Sequence, residues 1–205
     1  MNFSLIKFQH ADLGYAGDIL LQQVNLVINP GEHWAITGES GSGKTTLLNA
    51  IAGNLQLKNG SIVRNLTHYQ PAASDYHQLI AFVPAKHHFR NLSNTSDFYY
   101  QQRYNSSDAD DAQTLRDYLA GINKQTPHAH GWTVDKAATM LMLNDLLDKQ
   151  IIKLSNGETK RLMIAAALLK NPLLLLLDNP LVGLDAHTLG LCEQIIDRIA
   201  ASVIY

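Results

Sequence analysis

The chain has 205 residues, which suits one large domain, and its 46% hydrophobic content is enough to build a sizeable core. Its net charge of -2, without any basic block, argues against nucleic-acid binding, because phosphate backbones attract dense clusters of lysine and arginine. Cys192 is the single cysteine, which excludes an internal disulfide and favours a reducing cytoplasm. The longest apolar run, Leu162 to Leu169, is far too short to span a membrane.

Five short stretches in the first part of the chain indicate four strands and a turn. Phe3 to Phe8 and Gln23 to Ile28 alternate apolar and polar residues, as half-buried strands do. Asn29-Pro30-Gly31 predicts a turn, and Trp34 to Thr37 predicts the strand that follows it. Ile80 to Val83, which ends at a proline, predicts a buried strand.

Helical spacing of apolar residues marks three further segments. Thr45 to Ala52 is amphipathic, and Trp132 to Leu147 carries apolar residues at helical intervals. Gly157 to Lys170 predicts a third helix, which the following Asn-Pro dipeptide ends. Residues 91–112 are polar, so we expect any helical segments there to lie on the surface.

A glycine-rich loop between the predicted strand at Trp34 and the helix at Thr45 fits the pattern G-x-x-x-x-G-K-[ST]. Glycines let a backbone wrap closely around phosphates, and the helix that follows presents its positive end to the anion. In such a loop the lysine reaches the β- and γ-phosphates and the hydroxyl can bind Mg²⁺. The loop residues are Gly38, Glu39, Ser40, Gly41, Ser42, Gly43, Lys44 and Thr45.

A run of five leucines, Leu173 to Leu177, predicts a central parallel strand covered on both faces. Asp178 follows this strand directly. An acid at the carboxyl end of a buried strand, in a chain with a phosphate-binding loop, is expected to help hold Mg²⁺. The structural alternative is a carboxylate that caps the next helix.

Four motifs stand in the order GESGSGKTT, LSNGETKR, LLLLLDNP and GLD, and they span nearly the whole chain. Together they resemble an ATP-binding cassette (ABC) ATPase. The resemblance implies an α/β fold of the P-loop NTPase type, with a mixed sheet and flanking helices, an antiparallel β subdomain and a small helical subdomain. We expect one ABC ATP-binding domain over 1–205, with the helical subdomain at about 91–156 inserted in the core.

The resemblance also implies roles for individual residues. Tyr15 matches the aromatic residue that stacks on adenine, the alternative being a tyrosine packed in the core. Thr46 completes the nucleotide-binding set, and Asp185 lies in the D-loop. The signature loop, which caps the γ-phosphate held by the opposite cassette of a head-to-tail dimer, comprises Ser155, Asn156, Gly157 and Glu158.

The signature loop narrows the resemblance, because Glu158 stands where glutamine is usual. This variant is similar to the molybdate-associated, photorepair-type tandem ABC ATPases, which carry two cassettes on one soluble polypeptide. Chromosome-structure and recombination ATPases share the glutamate, but they insert hundreds of coiled-coil residues before the signature. The stretch between Lys44 and Ser155 is too short for such an insertion.

Three features depart from the family pattern. Asn179 occupies the position of the general-base glutamate, and a carboxamide cannot accept a proton usefully at neutral pH. Ala85 and Lys86 follow the strand after which a Mg²⁺-sensing glutamine is expected. The chain stops at Tyr205, before the family's switch histidine, so we expect a C-terminally incomplete cassette. These departures predict a site that binds ATP and Mg²⁺ but hydrolyses ATP very slowly.

Three functions remain open at the level of sequence. The first is the ATP-binding subunit of a transport system whose membrane permease is a separate chain. Such a subunit is expected to be cytoplasmic, at the inner face of the membrane. The second is a soluble tandem ABC ATPase or regulator without a membrane partner, which the signature variant favours. The third is a non-hydrolysing ATP-binding module, which Asn179 favours. Each implies a second cassette as partner, either in a homodimer or on the same polypeptide, and none implies nucleic acid.

Overall fold

The computed structural model describes residues 3–15, 17–85, 88–90, 97–99, 113–125, 131–180, 190 and 202–205. The chain divides into two compact units. The first unit comprises Met1–Val83, Pro172–Asp178 and Arg198–Tyr205, and the second comprises Pro84–Asn171 and Asn179–Asp197. Within the described ranges, no helix is long and apolar enough to cross a membrane.

An antiparallel sheet in the first unit has the strand order β2-β1-β4. Its strands are β1 (Ile6–Leu13), β2 (Leu21–Ile28) and β4 (Leu57–Arg64). β1 extends well past the predicted end at Phe8, because the pairing register shifts beyond that residue and breaks the alternation of apolar and polar side chains. His10 sits in this irregular stretch with a positive φ of 47°. The predicted antiparallel β subdomain is therefore present.

A parallel sheet in the same unit has the order β3-β9-β8-β5. Its strands are β3 (His33–Trp34), β5 (Ile80–Val83), β8 (Leu174–Leu177) and β9 (Ser202–Ile204). All four leucines of β8 are buried between two parallel neighbours, which confirms the predicted central strand. β5 has the predicted bounds, but its residues alternate between buried and half-buried, because successive side chains point to opposite faces of the sheet and only one face is fully covered here.

One apolar core joins these elements of the first unit. Helix α1 (Lys44–Ala52) contributes Leu48 and Ile51, and β1 contributes Phe8. The predicted strand at Trp34 to Thr37 is shorter than expected, although Ile36 N still donates to the carbonyl of Tyr205. A short helix, α2 (Leu66–Tyr69), follows β4.

The second unit contains the remaining helices and a small hairpin. Its elements are β6 (His88–Arg90), β7 (Asp97–Tyr99), α3 (Leu115–Gln125), α4 (Val134–Met140) and α5 (Asn156–Leu168). β6 and β7 pair antiparallel, and the three helices pack against one another.

The helical pattern at Trp132 to Leu147 produces a shorter helix than its spacing suggests. α4 ends at Met140, and Met142 takes a positive φ of 50°, which a helix cannot continue. Arg161 Nη1 then donates to the carbonyls of Leu141 and Met142 at 3.0 and 2.8 Å. A contact from another helix thus satisfies the carbonyl groups that the break leaves free.

Candidate functional site

The phosphate-binding loop connects β3 to α1, as its sequence context predicts. Gly38, Gly41 and Gly43 have φ values of 153°, 83° and 92°, a region that side-chain-bearing residues rarely adopt. Gly43 is also the residue that precedes the first turn of α1, and it has no side chain to occupy the helix end. The glycines of the motif are therefore required by backbone conformation.

Lys44 is the first residue of α1, and its ammonium group lies across the loop. Nζ donates to the carbonyls of Gly38 and Glu39, both at 2.7 Å. The loop residues Glu39, Ser40, Gly41 and Ser42 are exposed, and Thr46 is buried. A cation over an open glycine loop at a helix N-terminus suits a polyphosphate.

A contact between Thr45 and Asp178 joins the phosphate-binding loop to the acid that follows the leucine strand. The hydroxyl of Thr45 lies 3.0 Å from each carboxylate oxygen of Asp178, although the residues are 133 positions apart. Asp178 is only 5% exposed, and its N–H donates to the carbonyl of Val83 at 2.9 Å, so the carboxylate extends directly from the end of β8. These oxygen atoms are ligands of the kind that Mg²⁺ prefers.

The signature residues begin α5. Ser155 precedes the helix, with Asn156 and Gly157 in its first turn and Glu158 completing a capping box. Ser155 Oγ accepts from Glu158 N at 3.2 Å, and Glu158 accepts in return from Ser155 N at 2.6 Å. The serine is exposed at the helix N-terminus, so the serine hydroxyl and the positive helix end lie together.

Lys149 is a partner of this loop that the sequence does not predict. Its Nζ donates to Glu158 at 2.8 Å, and both side chains are partly buried. Burial raises the pKa of Glu158, but the hydrogen bonds from Lys149 and Ser155 outweigh it, so the net pKa lies below the usual value. Glu158 is therefore a carboxylate at neutral pH, and no spacing rule in the sequence identifies the lysine that binds it.

The structure places the remaining predicted residues as follows. Tyr15 is 46% exposed, which argues against the alternative of a tyrosine packed in the core, and its adenine-stacking role stays a prediction. Asn179 is exposed and has a positive φ of 48°. Asp185 lies outside the described residues. Among those residues, no cluster of three or more His, Cys, Asp or Glu side chains could hold a metal ion by itself.

Comparison with known proteins supports the assignment that the motifs suggest. Residues 21–182 match the family model described as ABC transporter. The zinc import ATP-binding protein ZnuC of Halorhodospira halophila is 31% identical over 95% of this chain and 63% of its own length. The ABC transporter ATP-binding protein ModF of Escherichia coli is 29% identical over 88% of this chain and 33% of its own length. The chain therefore spans less than two thirds of these relatives.

Solved structures share the fold. A bacterial Atm1-family ABC exporter with ATP bound has a TM-score of 0.70 at 22% identity, over 97% of this chain and 33% of that one. CbiO1 from Clostridium perfringens, part of the ABC transporter complex CbiONQ, has a TM-score of 0.68 at 22% identity, over 100% of this chain and 78% of that one. With the family match covering most of its length, the chain belongs to the ATP-binding cassette family and is one of its ATP-binding domains.

Proposed function

We propose that the chain binds Mg-ATP at the loop Gly38 to Thr45 and forms an ATP-dependent sandwich with a second cassette. The observation that carries the proposal is the contact between Thr45 Oγ1 and both carboxylate oxygens of Asp178, at 3.0 Å. The first motif and the strand-end acid thereby present their oxygen atoms at one place. Neither motif alone would create such a cluster.

The residues present fit a magnesium ion. Thr45 Oγ1 and the Asp178 carboxylate are hard oxygen donors, and the carboxylate is shielded from water. When bound, Mg²⁺ would neutralise charge on the β- and γ-phosphates. Thr45 would bind the ion through its hydroxyl, and Asp178 would bind it either directly or through a water molecule.

Lys44 would provide the second positive charge. Its ammonium hydrogens, which bind the carbonyls of Gly38 and Glu39, would exchange those partners for phosphate oxygens that carry a full charge. The exposed glycine loop allows the phosphates to approach the main chain closely. The loop therefore binds and orients the triphosphate, whereas proton transfer must be performed elsewhere.

Hydrolysis is expected to be slow, because Asn179 stands at the position of the general base. Its carboxamide can donate a hydrogen bond to water but cannot take up the proton that attacking water must lose. Loss of a general base typically costs about 10²–10⁴-fold in rate. Binding of ATP does not need this proton transfer, so binding and turnover are separable in this cassette.

The signature loop is proposed to act on the ATP of a partner cassette. Ser155 Oγ accepts from Glu158 N, which leaves its own hydrogen available to a γ-phosphate oxygen. The first-turn N–H groups of α5 add the positive end of the helix dipole. The proposed partner is a second copy of this chain or a second cassette on a longer polypeptide, and each cassette would complete the site of the other.

Energising a transport system through a membrane permease is the biological role that we favour. ZnuC is named for zinc import, and the chain covers 63% of that relative. ModF matches over a smaller part of its length, and the LSNGE signature is the reason to keep a soluble tandem ATPase, related to molybdate, as the second candidate. A purely ATP-binding module is the third, because of Asn179.

The test of ATP binding compares Lys44→Ala with the unmodified chain by titration calorimetry in magnesium. Loss of a charged phosphate contact worth about 1.5–3 kcal/mol should weaken binding by roughly 10- to 150-fold. Lys7→Ala is the matched control, since Lys7 is an exposed lysine on β1 in the same unit. Equal affinity of Lys44→Ala and the unmodified chain would sink the assignment of this loop.

A further inference from the structure

Lys160 contacts two separate main-chain segments of the second unit. It lies in α5, five residues beyond Ser155, and its Nζ donates to the carbonyl of Ala85 at 3.0 Å. The same ammonium nitrogen lies 3.5 Å from the carbonyl oxygen of Asn179. Ala85, Lys160 and Asn179 belong to one unit, so the contact is internal to that unit.

The two carbonyls belong to the positions at which the chain departs from its family. Ala85 stands where a glutamine is expected, and Asn179 stands where the general-base glutamate is expected. The side chain of Ala85 has no atom that could bind a metal ion, and the carboxamide of Asn179 cannot take up a proton usefully at neutral pH. Both replacements retain a main-chain carbonyl, and Lys160 binds this group rather than either side chain.

Asn179 also has an uncommon main-chain conformation. Its φ of 48° lies in the left-handed region, which costs most residues roughly 1–2 kcal/mol and costs asparagine less. Such conformations persist when surrounding contacts determine them. A short hydrogen bond from an ammonium group is among the stronger contacts available to a carbonyl, and at 3.5 Å the contact with Asn179 is longer and weaker than the one with Ala85 at 3.0 Å. Lys160 is therefore placed to favour the observed conformation of the residue after Asp178.

We propose that Lys160 is a positioning residue of this cassette, whose ammonium group ties the main chain at Ala85 and at Asn179 to the signature helix α5. The ATP-related importance of these segments rests on the proposed function, whereas the contact itself does not. Movement of α5 would be transmitted to both segments through one side chain. A neutral side chain at position 160 would leave each segment free to move independently.

The position of the ammonium group has a chemical consequence for any carboxylate at residue 179. A glutamate there could pair with Lys160, and an adjacent cation lowers the pKa of a carboxyl group. A base with a lowered pKa accepts a proton less readily. Lys160 would therefore weaken the base that Asn179→Glu introduces, and Asn179→Glu with Lys160→Met should be the more effective combination.

Hydrogen exchange without nucleotide tests the contact directly. We expect Lys160→Met to speed exchange at least ~5-fold in the peptides that contain Ala85 and Asn179, equivalent to the loss of about 1 kcal/mol of hydrogen bonding. Lys160→Arg should preserve most of the protection, because it keeps the charge. Lys170→Met is the matched control on an exposed lysine just beyond α5. Unchanged exchange in Lys160→Met would overturn the proposal.

Two further measurements keep the proposal testable if Lys160→Met does not fold. In the unmodified chain, Lys160 should react with an amine-acylating reagent at least ~3-fold more slowly than Lys170, since bonding occupies its hydrogens. Equal rates would overturn the contact. In a hydrolysing assembly, two double variants can be compared, Asn179→Glu with Lys160→Gln and Asn179→Glu with Lys160→Arg. The acid limb of the pH–rate profile should lie at higher pH for the variant with glutamine, because it lacks the cation. An unmoved limb would contradict a charge effect.

These results are separable from the proposed function. Exchange and acylation are measured in the absence of ATP, so they report on Lys160 whether or not the chain binds nucleotide. If Lys44→Ala left ATP affinity unchanged while Lys160→Met loosened both peptides, the proposed function would fail and the positioning contact would stand. If instead Lys44→Ala weakened ATP binding while Lys160→Met left exchange unchanged, the proposed function would stand and the positioning role of Lys160 would be wrong.

Discussion

We expect residue 179 to decide whether this cassette can hydrolyse ATP. A glutamate there can position water and accept its proton, whereas the amide of Asn179 can only form hydrogen bonds. The preceding Asp178 is retained, buried and bonded to Thr45. On the proposed function, Asp178 would help to hold Mg²⁺, whereas the next residue would be unable to accept a proton.

Replacing Asn179 by glutamate should restore turnover only in an assembled site. In the chain alone we expect little recovery, because Ala85 stands where the family's glutamine is expected. In a dimer whose cassettes carry the switch histidine, steady-state phosphate release should rise at least ~10-fold. Asn179→Gln is the matched control and should give no gain. Rapid hydrolysis by the unmodified chain would require a different base.

At the scale of elements, the C-terminus of α1 shows how the nucleotide loop is anchored. Gly53 ends the helix with a φ of 85° and donates its N–H to the carbonyl of Ala50 at 3.2 Å. Arg64, on β4, donates to the carbonyls of Ala50 and Ile51. The helix that begins with Lys44 is thereby fixed at its far end by two independent contacts.

Gly53→Ala should destabilise the chain. A side chain at a positive φ costs roughly 1–2 kcal/mol, and the added carbon would lie 2.5 Å from the Tyr76 hydroxyl and 2.8 Å from His77 Nε2. Gly121→Ala is the control, because Gly121 lies inside α3 with open space around it and alanine favours a helix by up to about 1 kcal/mol. Urea midpoints should move in opposite directions; a shift of both to higher urea would contradict the argument.

The capping box of α5 should make stability depend on pH. Hydrogen bonds from Lys149 and Ser155 outweigh burial and lower the pKa of Glu158 from about 4.5, so its stabilising contribution is complete above that pH. The contribution is lost as pH falls through the lower folded-state pKa, where the carboxylate becomes protonated.

Glu158→Gln should therefore lower the thermal midpoint at about pH 7 and have a smaller effect at about pH 3, because the unmodified Glu158 is increasingly protonated as the pH falls towards and through its lowered pKa. Asp148→Asn is the matched control, because Asp148 pairs with Arg116 at the exposed surface, where ion pairs contribute about 0–1 kcal/mol. An equal effect of Glu158→Gln at both pH values would show that charge is not the reason for its contribution.

At the scale of the whole molecule, the proposed sandwich makes association depend on ATP. Each bound nucleotide would contact the loop at Lys44 in one cassette and Ser155 of the other. Because ATP would then bind the dimer more tightly than the monomer, it should shift the monomer–dimer equilibrium towards the dimer. Sedimentation velocity with and without Mg-ATP should show a larger sedimenting species only with nucleotide. Ser155→Ala, which removes the hydroxyl, should reduce that shift.

A negative sedimentation result has a defined meaning. Lack of an ATP effect in this chain alone is compatible with weak association, so the decisive sample is a form that carries the switch histidine. If ATP leaves that form monomeric as well, the sandwich proposal is wrong. Binding to Lys44, measured separately by calorimetry, would remain a valid property of the loop.

The sequence alone determined the family and the placement of its motifs. Glycine spacing, the leucine run and a single acid after it are local patterns, and local patterns report the helix, strand and loop that carry them. The strand at Leu173 to Leu177 and the helix after Gly157 appear in the structure with boundaries shifted by one residue or two. β1 was underestimated, because bulges at His10 hide a continuing strand from a period-two pattern.

Only the tertiary structure decided which distant groups meet. Thr45 lies against Asp178 because the parallel pairing of β5 and β8 delivers the acid to the end of the sheet. Lys149 reaches Glu158, and Lys160 reaches Ala85, through helix packing that no spacing rule records. The partner of a side chain depends on how distant elements pack around the core, which a local pattern does not record. The residue types of a motif depend on the local chemistry that it performs, so they can be identified in the sequence.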